Sequence, residues 1–405
     1  MAQGSGVRRH LCGIWTAWTE AASAADAVAD VARSIREPHL SQIVAFFSAD
    51  YDAEALAREL ETRFPSVPVS GCSMSGGIAP AGGLDRGLVV IAFPAERFRI
   101  VSTVLDAIDH LDVERTASAV RALRRTLDPL DPCRDGDAVG RRFALSLIDG
   151  LANAEETVVS AIAWALDGIP IVGGSAGDDL RFRDAVVIHG GRIHRKAAVL
   201  VLVETDFSVE IFKSDNFEPT QTKFVVTASD GERREVQELN AEPAAREYAM
   251  AIGLDPEGLS PMSFAAYPLA VKVGGEYFCR SIRRMNEDGS LSFFCAVDEG
   301  VVLTLAEPRD IVASTRAELA RLDAQLGGVD LIIGFECVLR RLDAESRQVR
   351  HGITDLYRRY NVVGFETFGE QYRAMHLNQT LTGIAIGKSL ADKTLAVPGG
   401  AAVAS

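Results

Sequence analysis

Val67-Pro68-Val69-Ser70-Gly71-Cys72-Ser73-Met74-Ser75-Gly76-Gly77 and Ile169-Pro170-Ile171-Val172-Gly173-Gly174-Ser175-Ala176-Gly177-Asp178-Asp179 are two versions of one phrase. Pro68 and Pro170, Gly71 and Gly173, and Ser73 and Ser175 each stand 102 positions apart. The surroundings repeat as well. Ile43 to Phe47 is a compact apolar run, Ala53 to Arg63 has helical spacing, and Val67 to Val69 leads into the small-residue loop Gly71 to Gly77. Phe143 to Ile148, Glu155 to Leu166 and Ile169 to Val172 do the same ahead of Gly173 to Asp179, and each unit runs on into a further strand, Gly87 to Phe93 or Ala185 to Ile188. The spacing predicts an internal duplication. Alternating strands and helices up to about Val203 imply a layered α/β sheet, partly parallel, with both glycine-serine turns at strand ends where ligand crevices form.

The 405 residues, 47% hydrophobic and 24% charged, suffice for two or three domains with a sizeable core. A formal net charge of −14 repels phosphate backbones and anionic lipid, which argues against nucleic acid and membrane partners. Six cysteines without a CxxC pair, in a chain too large to need stapling, read as reduced thiols. Arg8-Arg9-His10 followed by Leu11 to Trp18 imitates a short secretory signal. The run contains Thr16 and two tryptophans and flows into the amphipathic spacing of Ala21 to Ile35, so it is read instead as a first strand and helix. No stretch approaches the roughly 18 consecutive apolar residues of a membrane span, and the expected location is cytoplasmic.

The character changes from Phe207. Phe224 to Thr227, the turn Asp230-Gly231 and Val236 to Leu239 predict a hairpin, followed by a helix from Pro243 through Ile252. Tyr277 to Ile282 and Leu291 to Cys295 predict a second hairpin around Asn286 to Gly289. A helix from Pro308 to Leu326, a buried strand from Leu331 to Cys337, a polar helix from Asp343 to Tyr360 and closing strands Asn361 to Phe368 and Thr380 to Ile386 complete the chain. The fold class expected is α/β: an internally duplicated α/β N-terminal layer with a smaller α+β C-terminal domain. The tail from 391 to 405 is expected to be disordered.

Several phrases resemble the FIST family of sensory proteins: Ile171 to Asp178, Val226-Thr227 with Glu238 to Ala244 and Tyr248, and Phe335 to Arg341. The resemblance runs from about Trp15 to Lys388. It implies a first domain of a strand and helix in 1–40 plus a FIST N-type α/β domain in 41–235, and a FIST C-type α+β domain in 236–390. Gly364 to Tyr372, His376-Leu377-Asn378-Gln379-Thr380 and Gly383 to Ala385 are similar to the haem-binding, nitric-oxide-sensing NosP subset of that family. The resemblance therefore implies a signal-transduction sensor and not an enzyme, with haem b as cofactor and nitric oxide as ligand. It further implies a histidine kinase or cyclic-di-GMP enzyme as partner. Self-association into a homo-oligomer is left open.

A haem sensor needs a neutral imidazole in an apolar pocket. His376 is the candidate metal ligand, with Asn378 beside it, Tyr372 nearby, and Arg340 and Arg341 as clamps for propionates. The plainer reading of His376 is a satisfied buried histidine, and of the arginines a solvated pair. A second hypothesis is a small-metabolite sensor, for an amino acid for example, with Cys72, Ser73, Ser175 and Asp178 around the glycine-serine turns. Asp178 as a cap is the cheaper explanation. A third hypothesis makes Cys72 the nucleophile of an acyl-transfer enzyme. Gly174 stands at the equivalent place in the second phrase, and no His or acid is marked as a partner by spacing.

Overall fold

Gly71 and Gly173 shape the fold because each lets a neighbouring backbone pass at contact distance. A Cβ on Gly71 would stand 2.0 Å from the carbonyl oxygen of Ala45, and one on Gly173 1.9 Å from that of Ser146. In the computed structural model, which describes residues 4–128 and 142–389, both glycines lie inside parallel strand pairs. Leu40–Ser48 pairs with Val69–Met74, and Arg142–Asp149 with Ile171–Ala176. The expected loops are therefore strand as far as Met74 and Ala176, the small residues serving close strand approach rather than a turn. Cys133 and the expected disordered tail lie outside the described residues.

The two units share one connectivity. Unit one runs through Trp15–Thr19, helix Ala24–Ser34, Leu40–Ser48, helix Ala53–Arg63, Val69–Met74, the hairpin Gly77–Ala79 and Gly82–Leu84, and Leu88–Pro94. Unit two repeats it with Phe98–Leu105, helix Val113–Leu127, Arg142–Asp149, helix Glu155–Leu166, Ile171–Ala176, the hairpin Val187–His189 and Arg192–His194, and Ala198–Thr205. The N-terminal layer is thus duplicated α/β.

A third copy follows. Phe207–Ser214, helix Ile311–Leu326, Val329–Cys337, helices Val338–Ser346 and Arg350–Arg359, Val362–Thr367, the hairpin Glu370–Tyr372 and Met375–Leu377, and Leu381–Ser389 have the same order and pairing. Gly364 is its counterpart of Gly71 and Gly173, a Cβ there standing 1.8 Å from the carbonyl oxygen of Gly334. The single polar helix expected over Asp343 to Tyr360 is two helices, broken where Gln348 takes a left-handed φ of 58°. Inserted between the first strand and first helix of this unit is a further antiparallel sheet, with Phe217–Asp230 and Val302–Pro308 paired within it. Helix Ala244–Ala251 helps cover it around Phe224, Tyr248, Phe264 and Phe293. Within it the expected second hairpin forms from Ile282–Met285 and Leu291–Phe293, while Glu276–Arg280 pairs with Leu269–Val273.

Each unit lends its hairpin to a neighbour's sheet. Gly77–Ala79 pairs with Val362–Thr367, Val187–His189 with Val69–Met74, and Glu370–Tyr372 with Ile171–Ala176. The exchange closes a ring, and backbone hydrogen bonds seal it: Ser75 N–H donates to Glu366 O at 3.1 Å, Gly177 N–H to Ser73 O at 3.2 Å, and Phe368 N–H to Ser175 O at 3.2 Å. Strand alternation then sorts the core. Val44 and Phe46 face a central cluster with Cys72, Val172, Phe335 and Phe365, while Ile43, Ala45 and Phe47 face the helices. Gly174 makes room at the centre for Phe365, whose Cζ would lie 2.8 Å from a Cβ there.

Candidate functional site

The ring places the carboxyl ends of all three parallel strand pairs together, the position at which ligands bind in α/β sheets, and those of units one and three border a cavity. In unit one it is a cleft of about 250 Å³ lined by Phe47, Tyr51, Ser73, Asp184 and Arg195. In unit three, Glu336, Arg341, Tyr357 and Glu366 surround a cavity of about 20 Å³, the size of one water. At unit two the inserted sheet closes over this end, Arg234 reaching Glu155 and Glu156 and Arg280 reaching the carbonyl of His376, which is buried there.

His376 stands on the outer strand of the exchanged hairpin, opposite Gln371. Cross-strand partners share a face, so His376 and Gln371 point one way and Tyr372 the other. Gln371 Nε2–H donates to Ser175 Oγ at 3.0 Å, which pins this face to unit two. The histidine is 3% exposed, and neither Nδ1 nor Nε2 has a hydrogen-bond partner. Its ring lies where a Cβ on Gly369 would be, 2.2 Å from Cε1. Burial lowers the pKa of His376 against the opposing pull of Glu155 and Glu156, leaving the imidazole neutral with a free lone pair.

Those two glutamates open helix Glu155–Leu166, which packs on the histidine's strand. Arg234, from the inserted sheet, donates to Glu155 and Glu156 at 2.6 Å each and to the carbonyl of Phe294 at 2.6 Å. Ala296 N–H also donates to Glu156 at 3.0 Å, and Arg280 donates to the carbonyl of His376 at 3.4 Å. Phe368, which precedes Gly369, belongs to an aromatic cluster: Phe182 and Phe368 lie 4.9 Å apart, with Phe294 at 6.0 and 6.1 Å from them. The guanidinium of Arg283 sits 4.7 Å over Phe182, its Nε buried without a partner. Asn378 ties this cluster to the insertion, donating to Phe368 O at 3.4 Å and accepting from Ser281 N–H at 3.5 Å.

Of the residues singled out in the sequence, His376 and Asn378 come together here. Tyr372 packs against the central core on the opposite face. Arg340 is fully buried with Nε, Nη1 and Nη2 all engaged, by Glu336, Asn216 and Thr315, so it has no nitrogen left for a propionate. Arg341 is held by Asp179 at 3.0 Å and Glu366 at 2.9 Å in the crevice of unit three. The two glycine-serine turns bond directly to each other, Gly177 N–H donating to Ser73 O; Ser73 also lines the unit-one cleft, its Oγ accepting from Val186 N–H, while Ser175 Oγ accepts from Gln371. Asp178 organises a loop, accepting from the N–H groups of Phe182, Arg183 and Asp184. Cys72 faces the central core, and burial pushes its thiol well above the usual range, so it is not placed as a nucleophile.

Arg234, Glu155, Glu156, Arg283, Phe182 and Phe294 carried no local signal in the sequence, since they reach the site from elements distant along the chain. Among the described residues no group of three or more His, Cys, Asp or Glu side chains is arranged to hold a metal ion, and no helix is long and apolar enough to cross a membrane.

The FIST N domain matches residues 42–242, and the FIST C domain matches residues 244–373. The chain belongs to the FIST family. FIST domains are sensory modules of signal transduction that bind small ligands. The border between the two matches falls within the inserted sheet, so strands from both FIST regions build unit three. The chain is also 23% identical over 255 residues to an uncharacterized protein of Methanocaldococcus jannaschii, a match covering 61% of this chain and 45% of that protein. This FIST chain spans less than half the length of that relative.

Proposed function

We propose that this FIST protein is a haem-bound nitric oxide sensor with His376 as axial ligand, passing its signal to a separate histidine kinase or cyclic-di-GMP enzyme. One observation carries the reading: a neutral imidazole, 3% exposed, whose two nitrogens both lack a partner. An orphaned buried polar group costs about 1–3 kcal/mol, and ligation removes that cost. Phe182, Phe294 and Phe368 supply an apolar cluster next to Gly369, and Arg283, stacked on Phe182 and unlike the fully engaged Arg340, has a buried nitrogen without a hydrogen-bond partner, suited to a propionate. When bound, the haem iron supplies the coordination site for nitric oxide. The residues of the chain hold the imidazole neutral, exclude water, and pack helix Glu155–Leu166 on the histidine's strand with Glu155 and Glu156 in electrostatic reach of the ring. A change at His376 is thereby felt by Arg234 and the inserted sheet.

The absorption spectrum of purified protein supplied with haemin tests the reading. A Soret band that shifts with nitric oxide and disappears in His376→Ala is expected. A chain that leaves haemin unbound overturns it.

A further inference from the structure

Units one and three pass from their ring strand to their hairpin through two residues, Ser75-Gly76 and Phe368-Gly369, whereas unit two takes ten, Gly177 to Val186. Nothing in the ring requires the extra length, because all three units make the same seal with their first turn residue. The longer segment is held in an unfavourable backbone: Asp179, Leu180 and Phe182 have φ of 56°, 61° and 53°, a region costly for bulky L residues. The carboxylate of Asp178 maintains it by gathering three N–H groups at 2.6 to 3.0 Å.

The segment ends in clasps on both flanking units. Arg181 pairs with Asp50 of unit one at 2.6 Å, and Asp179 with Arg341 of unit three at 3.0 Å. Directly after the Arg181 clasp, Phe182 is laid on Phe368 and Phe294, and Phe368 precedes Gly369, against which the ring of His376 packs. Both clasps have partly exposed members, the kind of pair that breaks at small cost.

We propose that Gly177 to Val186 is a gated lid over the His376 crevice, latched by Arg181 with Asp50 and Asp179 with Arg341, whose release withdraws Phe182 and admits the ligand. The proposal rests on the reading of His376 as the ligand site. Opening relieves the left-handed backbone at Leu180 and Phe182, and the latches oppose that relief. Because each latch ends on a different unit, ligand entry reports to both neighbouring crevices at once.

Carbethoxylation of His376 by diethyl pyrocarbonate in the full chain, mapped by mass spectrometry, measures crevice opening without haem. Asp50→Asn frees one latch and should raise the labelling rate about threefold. Asp178→Ala releases the clasped backbone and should raise it about tenfold or more. His10, buried in the first hairpin against Thr16, should label at the same rate in all three proteins, which separates local opening from unfolding. Haemin association should accelerate in step with His376 labelling. Equal His376 labelling in wild type and Asp50→Asn overturns the lid, whatever haemin does. Failure of every protein to take up haemin, with labelling accelerated, removes the haem reading and leaves the lid standing.

Discussion

The α-carbon of Gly364 lies so close to the backbone of Gly334 that a side chain on it would stand 1.8 Å from the Gly334 carbonyl oxygen. The same contact joins Gly71 to Ala45 and Gly173 to Ser146, and in each case the obstruction is backbone inside a strand pair, which cannot swing aside. Alanine at any of the three positions should therefore cost at least about 3 kcal/mol, the upper range for overpacking. The three losses should be alike despite lying in different FIST regions. Chemical denaturation of the three variants checks this, with Gly258→Ala as a near-neutral comparison because its nearest neighbour is Leu254 Cβ at 4.0 Å.

Arg234 is the cation that lets two carboxylates approach the His376 crevice. It is 3% exposed and Glu155 2%, so truncating the arginine leaves a buried negative charge. Arg234→Ala should cost about 3–5 kcal/mol. Adding Glu155→Gln to it should restore part of the loss, which a double-mutant cycle by urea unfolding would measure. Equal additive losses would mean the contact is without energetic consequence.

The duplication was legible because Pro68 and Pro170, Gly71 and Gly173, and Ser73 and Ser175 keep one offset. The third copy escaped for two physical reasons. The inserted sheet moves Gly364 to 191 positions beyond Gly173, and the strand around it, Val362-Val363-Gly364-Phe365-Glu366, shares with both phrases only the glycine and the apolar residue two before it, with Asn361 in place of proline and Glu366 in place of serine. The signal that could have found it is that glycine, two residues after an apolar one, in the last strand of a strand, helix, strand unit. Nor does any local residue tell which sheet a hairpin joins, so the meeting of His376 with Ser175 and helix Glu155–Leu166 could not be read from the chain. Arg340 shows the limit from the other side: sequence marks a cation, but only packing reveals that Glu336, Asn216 and Thr315 already consume it.

The described cysteines, Cys12, Cys72, Cys279, Cys295 and Cys337, are all buried. In a Cys133→Ser background the native protein should leave these five thiols unreacted with an aromatic disulfide reagent over minutes, and all five should titrate once denaturant is added. Rapid reaction of Cys72 in the native state would revive a nucleophilic role for it.

Glu370 gives the fold a pH dependence of definite sign. It is fully enclosed, and burial raises its pKa to about 8 although Thr367 and Thr380 hydrogen-bond to it. In the unfolded chain the same carboxyl ionises near 4.5. Between those two values the native state holds a proton that the unfolded state has released, so stability falls as pH rises through that window. The slope is at most about 1.4 kcal/mol per pH unit from this one group. Glu370→Gln keeps a neutral side chain of the same shape at every pH. Its denaturation midpoint should therefore lie near that of wild type at pH 5 and above it at pH 8.5, with a flatter profile between. Parallel profiles for the two proteins would show that Glu370 is ionised in the folded state across the whole range.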